Sequence, residues 1–182
     1  MVAMEVTMRA ACFVVLFLSV GGPLGAQTLT PVTTPPPPAK TVSLSGPRFG
    51  FTSLSDGVVE KLHERSIDIR PAITQFGWQF EKEFYSKEGG LAAVNEWVVL
   101  LGGLEQGVVL PSVSWLVGLR TSGGAEFGIG PNVTPAGVAL AFAAGVTFRS
   151  GVLNVPVNFA VVPSKAGMRV SMLTGFNMRG RH

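Results

Sequence analysis

Residues 137–149 alternate with a period of two along their whole length. Val138, Leu140, Phe142, Ala144, Val146 and Phe148 fall on one face, and Gly137, Ala139, Ala141, Ala143, Gly145, Thr147 and Arg149 fall on the other. A helix, at 3.6 residues per turn, would scatter the bulky set around its circumference, whereas a strand gathers it on one side. The run is about twice the usual strand length of five or six. One face is thus large and apolar, the other small or polar, and any fold must give each a suitable environment.

The pattern recurs along the chain. In 168–178, Met168, Val170, Met172, Thr174, Phe176 and Met178 oppose Arg169, Ser171, Leu173, Gly175 and Asn177. In 153–162, Val155, Val157, Phe159 and Val161 oppose Asn154, Pro156, Asn158 and Ala160. In 74–84, Phe76, Trp78, Phe80 and Phe84 oppose Gln75, Gly77, Gln79, Glu81 and Glu83, with Lys82 breaking the apolar face. In 112–120, Val113, Trp115, Val117 and Leu119 oppose Ser112, Ser114, Leu116, Gly118 and Arg120. Residues 125–130 form a shorter strand, and 47–54 the first, bearing Arg48. In 94–102, Trp97, Val99 and Leu101 share a face, but Val98 and Leu100 make the other face apolar too, so its facing stays open. The connections at 121–124, 131–136, 149–151 and 163–167 are short and rich in Gly, Pro, Ser and Asn, as hairpins require. Residues 85–90 read as another turn. The long connection is 55–72, in which 56–65 has the pattern of two or three helical turns. No connection leaves room for a parallel crossover helix.

Composition narrows the class. The chain has 182 residues, 23 Gly, 13 Pro, 14% charged residues and a net charge of +3. Gly and Pro break helix interiors, and their frequency argues against a helical bundle. The small charge, without a Lys/Arg run, argues against a nucleic-acid partner. Arg9, the apolar run 10–20 and Leu24, Gly25 and Ala26 form the pattern of a secretory signal peptide over 1–26. That run is too short for a membrane helix, which needs about 20 residues. Cys12, the single cysteine, lies within the signal. A Pro/Thr-rich linker follows over 27–45, and Pro35, Pro36, Pro37 and Pro38 favour an extended polyproline segment.

Facing is the remaining choice. An eight-stranded ring has little interior volume, which suits Gly, Ala, Ser and a few paired long side chains; the bulky set then faces outward, toward lipid. Membrane strands need about 9–11 residues with this alternation, and closure removes edges that lipid does not tolerate. In signal peptide, length, strand count and alternation over about 47–179, the chain resembles the small eight-stranded outer-membrane barrels, the superfamily of the OmpA membrane domain and OmpX. The resemblance implies an all-β, closed antiparallel up-and-down barrel of about eight transmembrane strands over 46–179, one longer partly helical loop, and a short tail at 180–182. It places the protein in the bacterial outer membrane. Its single Tyr leaves the aromatic girdle to Phe and Trp. Two other readings stay open. Residues 97–119 are apolar enough for one membrane helix, although Glu105, Gln106, Pro111 and three glycines oppose it. An exported periplasmic barrel or sandwich would turn the bulky faces inward around an apolar cavity.

With bulky faces outward, Phe76, Trp78, Trp97, Trp115, Phe142, Phe148, Phe159 and Phe176 face lipid. Arg48, Gln75, Gln79, Glu81, Arg120, Glu126, Asn158, Arg169 and Asn177 form a polar network in the lumen, where charges must pair because an enclosed unpaired charge is costly. The network is read as a structural core, with a narrow polar channel as the alternative. No His/Cys cluster, calcium loop or phosphate loop is present in the sequence, so no metal and no cofactor are expected. His63 beside Glu64 is the single hint of a Ser/His/acid group, and sequence proximity is not triad geometry. The expected role is structural, anchoring or surface interaction without catalysis. The expected partners are outer-membrane lipids, with residues 55–72 and the proline tract as candidate protein contacts.

Overall fold

The computed structural model describes residues 44–87 and 90–178. The signal peptide read over 1–26, the proline tract, most of the linker read over 27–45 and the tail at 180–182 lie outside the described residues.

The chain runs β1 (Gly46–Leu54), α1 (Asp56–His63), β2 (Ala72–Lys87), β3 (Leu91–Gly102), β4 (Leu110–Arg120), β5 (Ala125–Thr134), β6 (Gly137–Ser150), β7 (Leu153–Ser164) and β8 (Gly167–Gly175). Each strand pairs antiparallel with the next. β1 also pairs with β8, from Arg48 opposite Gly175 to Leu54 opposite Arg169, which closes the ring. A two-residue strand, β9 (Asn177–Met178), continues past Phe176 along β7. The fold is a closed up-and-down antiparallel barrel of eight strands with one short helix between the first two.

Among the described residues no helix is long and apolar enough to cross a membrane. The segment 97–119, open above to a single-helix reading, is instead the end of β3, a 3-10 turn at Leu104–Gln106 and most of β4. Gly103 and Gly107 flank that turn at φ of 80° and 74°, a left-handed backbone that ends any helix there.

Several boundaries differ from the sequence expectation: β3 begins at Leu91, the turn read at 163–167 is confined to 165–166, and the strand read over 168–178 breaks after Gly175. The turn read at 131–136 is confined to 135–136, because β5 continues to Thr134. Pro131 is tolerated because β4–β5 pairing runs from Val113 opposite Val133 to Ser114 opposite Asn132 and resumes at Val117 opposite Ile129, leaving an interruption beside it. On the other side β6 still pairs, Pro131 opposite Leu140. Likewise the turn read at 85–90 begins later, since β2 reaches Lys87 through a register shift between Glu83 and Tyr85. The shift lets consecutive Phe84 and Tyr85 both lie exposed.

The inner wall packs Val98, Leu100, Leu116, Ala141, Val162 and Leu173. This decides the facing of β3: Val98 and Leu100 point in, while Trp97, Val99 and Leu101 are exposed outside. Glycines allow the strands to approach closely on the inner face. A Cβ at Gly50 would sit 1.9 Å from the Met172 carbonyl oxygen, and one at Gly77 would sit 2.0 Å from that of Val99.

A second apolar cluster, Leu54, Val58, Leu62, Ile69, Ile73 and Leu110, lies at one barrel end. Val58 and Leu62, one helical turn apart, are the buried side of α1. Asp56 in the first turn and Lys61 in the last complement the helix dipole. Val108, Ala136 and Ala166, from the other three connections at this end, pack against the same cluster. The helix therefore covers this mouth.

Candidate functional site

The alternation that builds the strands also turns the polar set inward. Arg120 ends β4 and Glu126 begins β5, and the two are directly opposed across the hairpin. Arg120 Nε donates to Glu126 Oε1 at 2.5 Å. Its Nη1 reaches across to Glu81 Oε1 on β2 at 2.7 Å, and Nη2 donates to the other Glu81 oxygen. One guanidinium therefore joins two carboxylates, in the forked geometry that makes Arg–carboxylate pairs strong. The Glu81 side chain is fully enclosed, and those of Arg120 and Glu126 are 6% and 8% exposed. Thr147 Oγ1 donates to Glu126, and the Leu44 amide donates to Glu81. Leu44 and Ser45, at the end of the linker segment, thus hydrogen-bond into the barrel rather than outside it.

The remaining lumen candidates are placed as follows. Arg48 is buried and donates to Gln79 Oε1 at 3.0 Å, Pro47 O at 3.0 Å and Leu44 O at 2.7 Å. It is held by neutral acceptors and forms no direct ion pair among the described residues. Gln75 accepts from Thr52, whose hydroxyl also shares a hydrogen bond with Ser171. Asn158 lines the interior cavity. Asn177 is buried opposite Asn154. Arg169 is buried near the helix-covered mouth and donates to Thr134 Oγ1. The structure thus brings Glu81, Arg120 and Glu126 into one ion-paired cluster and holds Arg48, Gln75, Gln79, Asn158, Arg169 and Asn177 elsewhere on the inner wall.

The lumen also contains Glu96, which was not among the sequence candidates. It lies opposite Glu81 on β3 and is 7% exposed. Carboxylate oxygens of Glu81, Glu96 and Glu126 lie within 4.8 Å of one another. The signal for it was available: Glu96 immediately precedes Trp97, so an outward Trp97 requires an inward Glu96.

Between this cluster and α1 lies a cavity of about 90 Å³. Apolar side chains including Leu54, Val58, Leu100 and Leu173 line it together with Glu96 and Arg169.

All eight outward candidates, Phe76, Trp78, Trp97, Trp115, Phe142, Phe148, Phe159 and Phe176, lie on the outer surface at 42–61% exposure. Trp97 and Trp115, on β3 and β4, are stacked at 6.0 Å, and the Trp115 indole N–H donates to Asn95. His63 and Glu64 are not drawn into a catalytic group. His63 Nε2 accepts the Ile69 amide at 3.3 Å, and Glu64 pairs with Lys61. Asp68 lies equally near His63 Nε2, but it can bond only to a protonated nitrogen, which the Ile69 contact does not allow at the same time.

No protein-family model, curated protein or solved structure matches the chain.

Proposed function

We infer that this protein is a small outer-membrane barrel of the OmpA and OmpX kind, anchored by its outer wall and serving a structural or surface-contact role. The observation that carries the reading is the outer face. Large apolar side chains, from Phe49 and Phe51 on β1 through Phe142 on β6 to Met172 on β8, stand exposed around the ring. Soluble monomers rarely leave more than a few hundred Å² of contiguous apolar surface in water. Six charged strand residues, Arg48, Glu81, Glu96, Arg120, Glu126 and Arg169, are meanwhile enclosed within the ring, as in barrels whose polar face lines the lumen. A periplasmic barrel with an apolar cavity would need these bulky faces turned inward.

The interior supports an anchor better than an open channel. Arg120 joins β4 to β2 and β5 through its carboxylates, and α1 covers one mouth. A conducting state would require both to move. The exposed face of α1 and its loop, with Glu60, Glu64, Arg65, Asp68 and Arg70, is the surface offered to a protein partner. Catalysis forms no part of this reading.

Membrane fractionation of the exported chain, followed by electrophoresis with and without boiling, tests it. Recovery with outer membranes and a band that shifts on boiling support the anchor. A soluble periplasmic product overturns it. Steady conductance in planar bilayers by the wild-type chain would favour the channel over the closed anchor.

A further inference from the structure

We propose that Arg169 anchors an internal site for a small carboxylate, of about the size of acetate, beneath α1. Arginine keeps its charge at any physiological pH, so an enclosed guanidinium needs acceptors or a counter-anion. Among the described residues three arginines are buried, and two are well supplied: Arg120 by Glu81 and Glu126, and Arg48 by three oxygen acceptors. Arg169 is 6% exposed and forms no ion pair among the described residues. Its Nη1 donates to Thr134 Oγ1, while its buried Nε has no hydrogen-bond partner. Nε is one prong of the fork with which arginine grips a carboxylate side-on.

The surroundings favour an acceptor. Thr134 and Asn132 lie two residues apart on the inner face of β5, and both line the cavity with Arg169. Asn132 Nδ2 donates to the hydroxyl oxygens of Ser112 and Ser114, each at 2.9 Å. Both hydroxyls therefore keep their own protons for a further acceptor, and both line the same cavity. Leu54, Val58, Val162 and Leu173 offer an apolar wall to a methyl group. The cavity of about 90 Å³ is smaller than the engineered cavity of about 150 Å³ that accepts benzene, which limits the ligand to a few heavy atoms.

The test uses the full chain, purified as the folded barrel in detergent, with sodium acetate replacing sodium chloride at constant ionic strength and pH 7.5. The expected result is a saturable rise in the thermal midpoint of about 5–11 °C at 100 times the half-saturating concentration. Pivalate, too bulky for the cavity, should give no such rise. Arg169→Met should abolish the response while keeping the boiling-dependent gel shift, and Arg169→Lys should keep part of it. No saturable rise in the wild type, or an undiminished rise in a folded Arg169→Met, overturns the proposal. Should Arg169→Met not fold, saturation-transfer NMR on the wild type decides. Transfer from barrel methyls to acetate but not pivalate supports the site, and transfer to both or to neither overturns it.

Discussion

Three carboxylates meet inside the wall, and a single guanidinium, Arg120, makes ion pairs with two of them. Glu96 is the third, 7% exposed and in no ion pair among the described residues. A charge enclosed beside like charges costs stability that a neutral isostere does not. Glu96→Gln should therefore stabilise the barrel by about 1–2 kcal/mol where the carboxyl carries its charge, measured by urea unfolding from vesicles at about pH 9.5. Glu126→Gln should destabilise it, because it weakens an acceptor of Arg120. A Glu96→Gln barrel no more stable than wild type would refute this account. Legibility at this scale follows distance across the ring. Arg120 and Glu126 oppose each other on one hairpin, so their pairing follows from turn and alternation. The pairing of Arg120 with Glu81 joins strands that are not neighbours, and only the closed ring brings them together. Arg169 was legible as an inward charge, but not its lack of an acidic partner, since that depends on which strands face each other through the lumen.

Elements answer to backbone approach and to the clips between connections. The alternating pattern located all eight strands, because a two-residue period needs no tertiary information. It misjudged the ends of β2 and β5, where a bulge and a proline beside a ladder gap let a strand continue through residues that resemble a turn. Gly77 reads as an unremarkable small residue, yet a Cβ there would lie 2.0 Å from the Val99 carbonyl oxygen. Gly77→Ala must spread β2 from β3, and should cost about 1–3 kcal/mol, as overpacking does. The same urea experiment checks it, and an unchanged midpoint would show that the approach is readily relaxed. The β3–β4 turn clips the first connection to β2: Gln106 accepts the Arg70 amide and donates to Ala72 O. Glu105 accepts the Thr74 hydroxyl at 2.5 Å and its amide at 2.9 Å. These bonds, the hydroxyl's first, lower the Glu105 carboxyl from its ordinary 4.5 to about 2. A depressed carboxyl stabilises fully above its unfolded pKa, and that contribution is lost as pH falls toward the folded one. The clip should thus hold at pH 6 and loosen between about pH 4.5 and 2. The carboxylate is exposed, so the effect is local. Hydrogen exchange at the Thr74 amide should accelerate over that range beyond the intrinsic pH effect, and Glu105→Gln should remove the excess.

For the whole molecule, the question is which solvent the outer wall meets. The alternation predicted two unlike faces but was silent on which turned inward, and the volume of an eight-stranded ring supplied that step. The folded ring has bulky residues outside, and a bilayer makes a prediction that an aqueous or partner-covered surface does not. The cost of a charge on a lipid-facing position depends on depth: about 2–4 kcal/mol for Lys or Arg at the midplane, and about 0–1 kcal/mol near the interfaces. Phe142 lies near the middle of β6, and Phe148 lies two residues before its end. Both are exposed, at 47% and 61%, so neither substitution opens a packed core. Phe142→Lys should lower the unfolding free energy from vesicles by about 2–4 kcal/mol, and Phe148→Lys by no more than about 1. Water would treat the two positions alike and accept both lysines at little cost. A protein partner covering only part of the ring would produce a difference on that side alone, so Phe51→Lys on β1 and Phe159→Lys on β7 extend the measurement around the circumference. A penalty graded by height and independent of strand is the signature of a bilayer, and equal, near-zero costs at Phe142 and Phe148 would remove the membrane from the account.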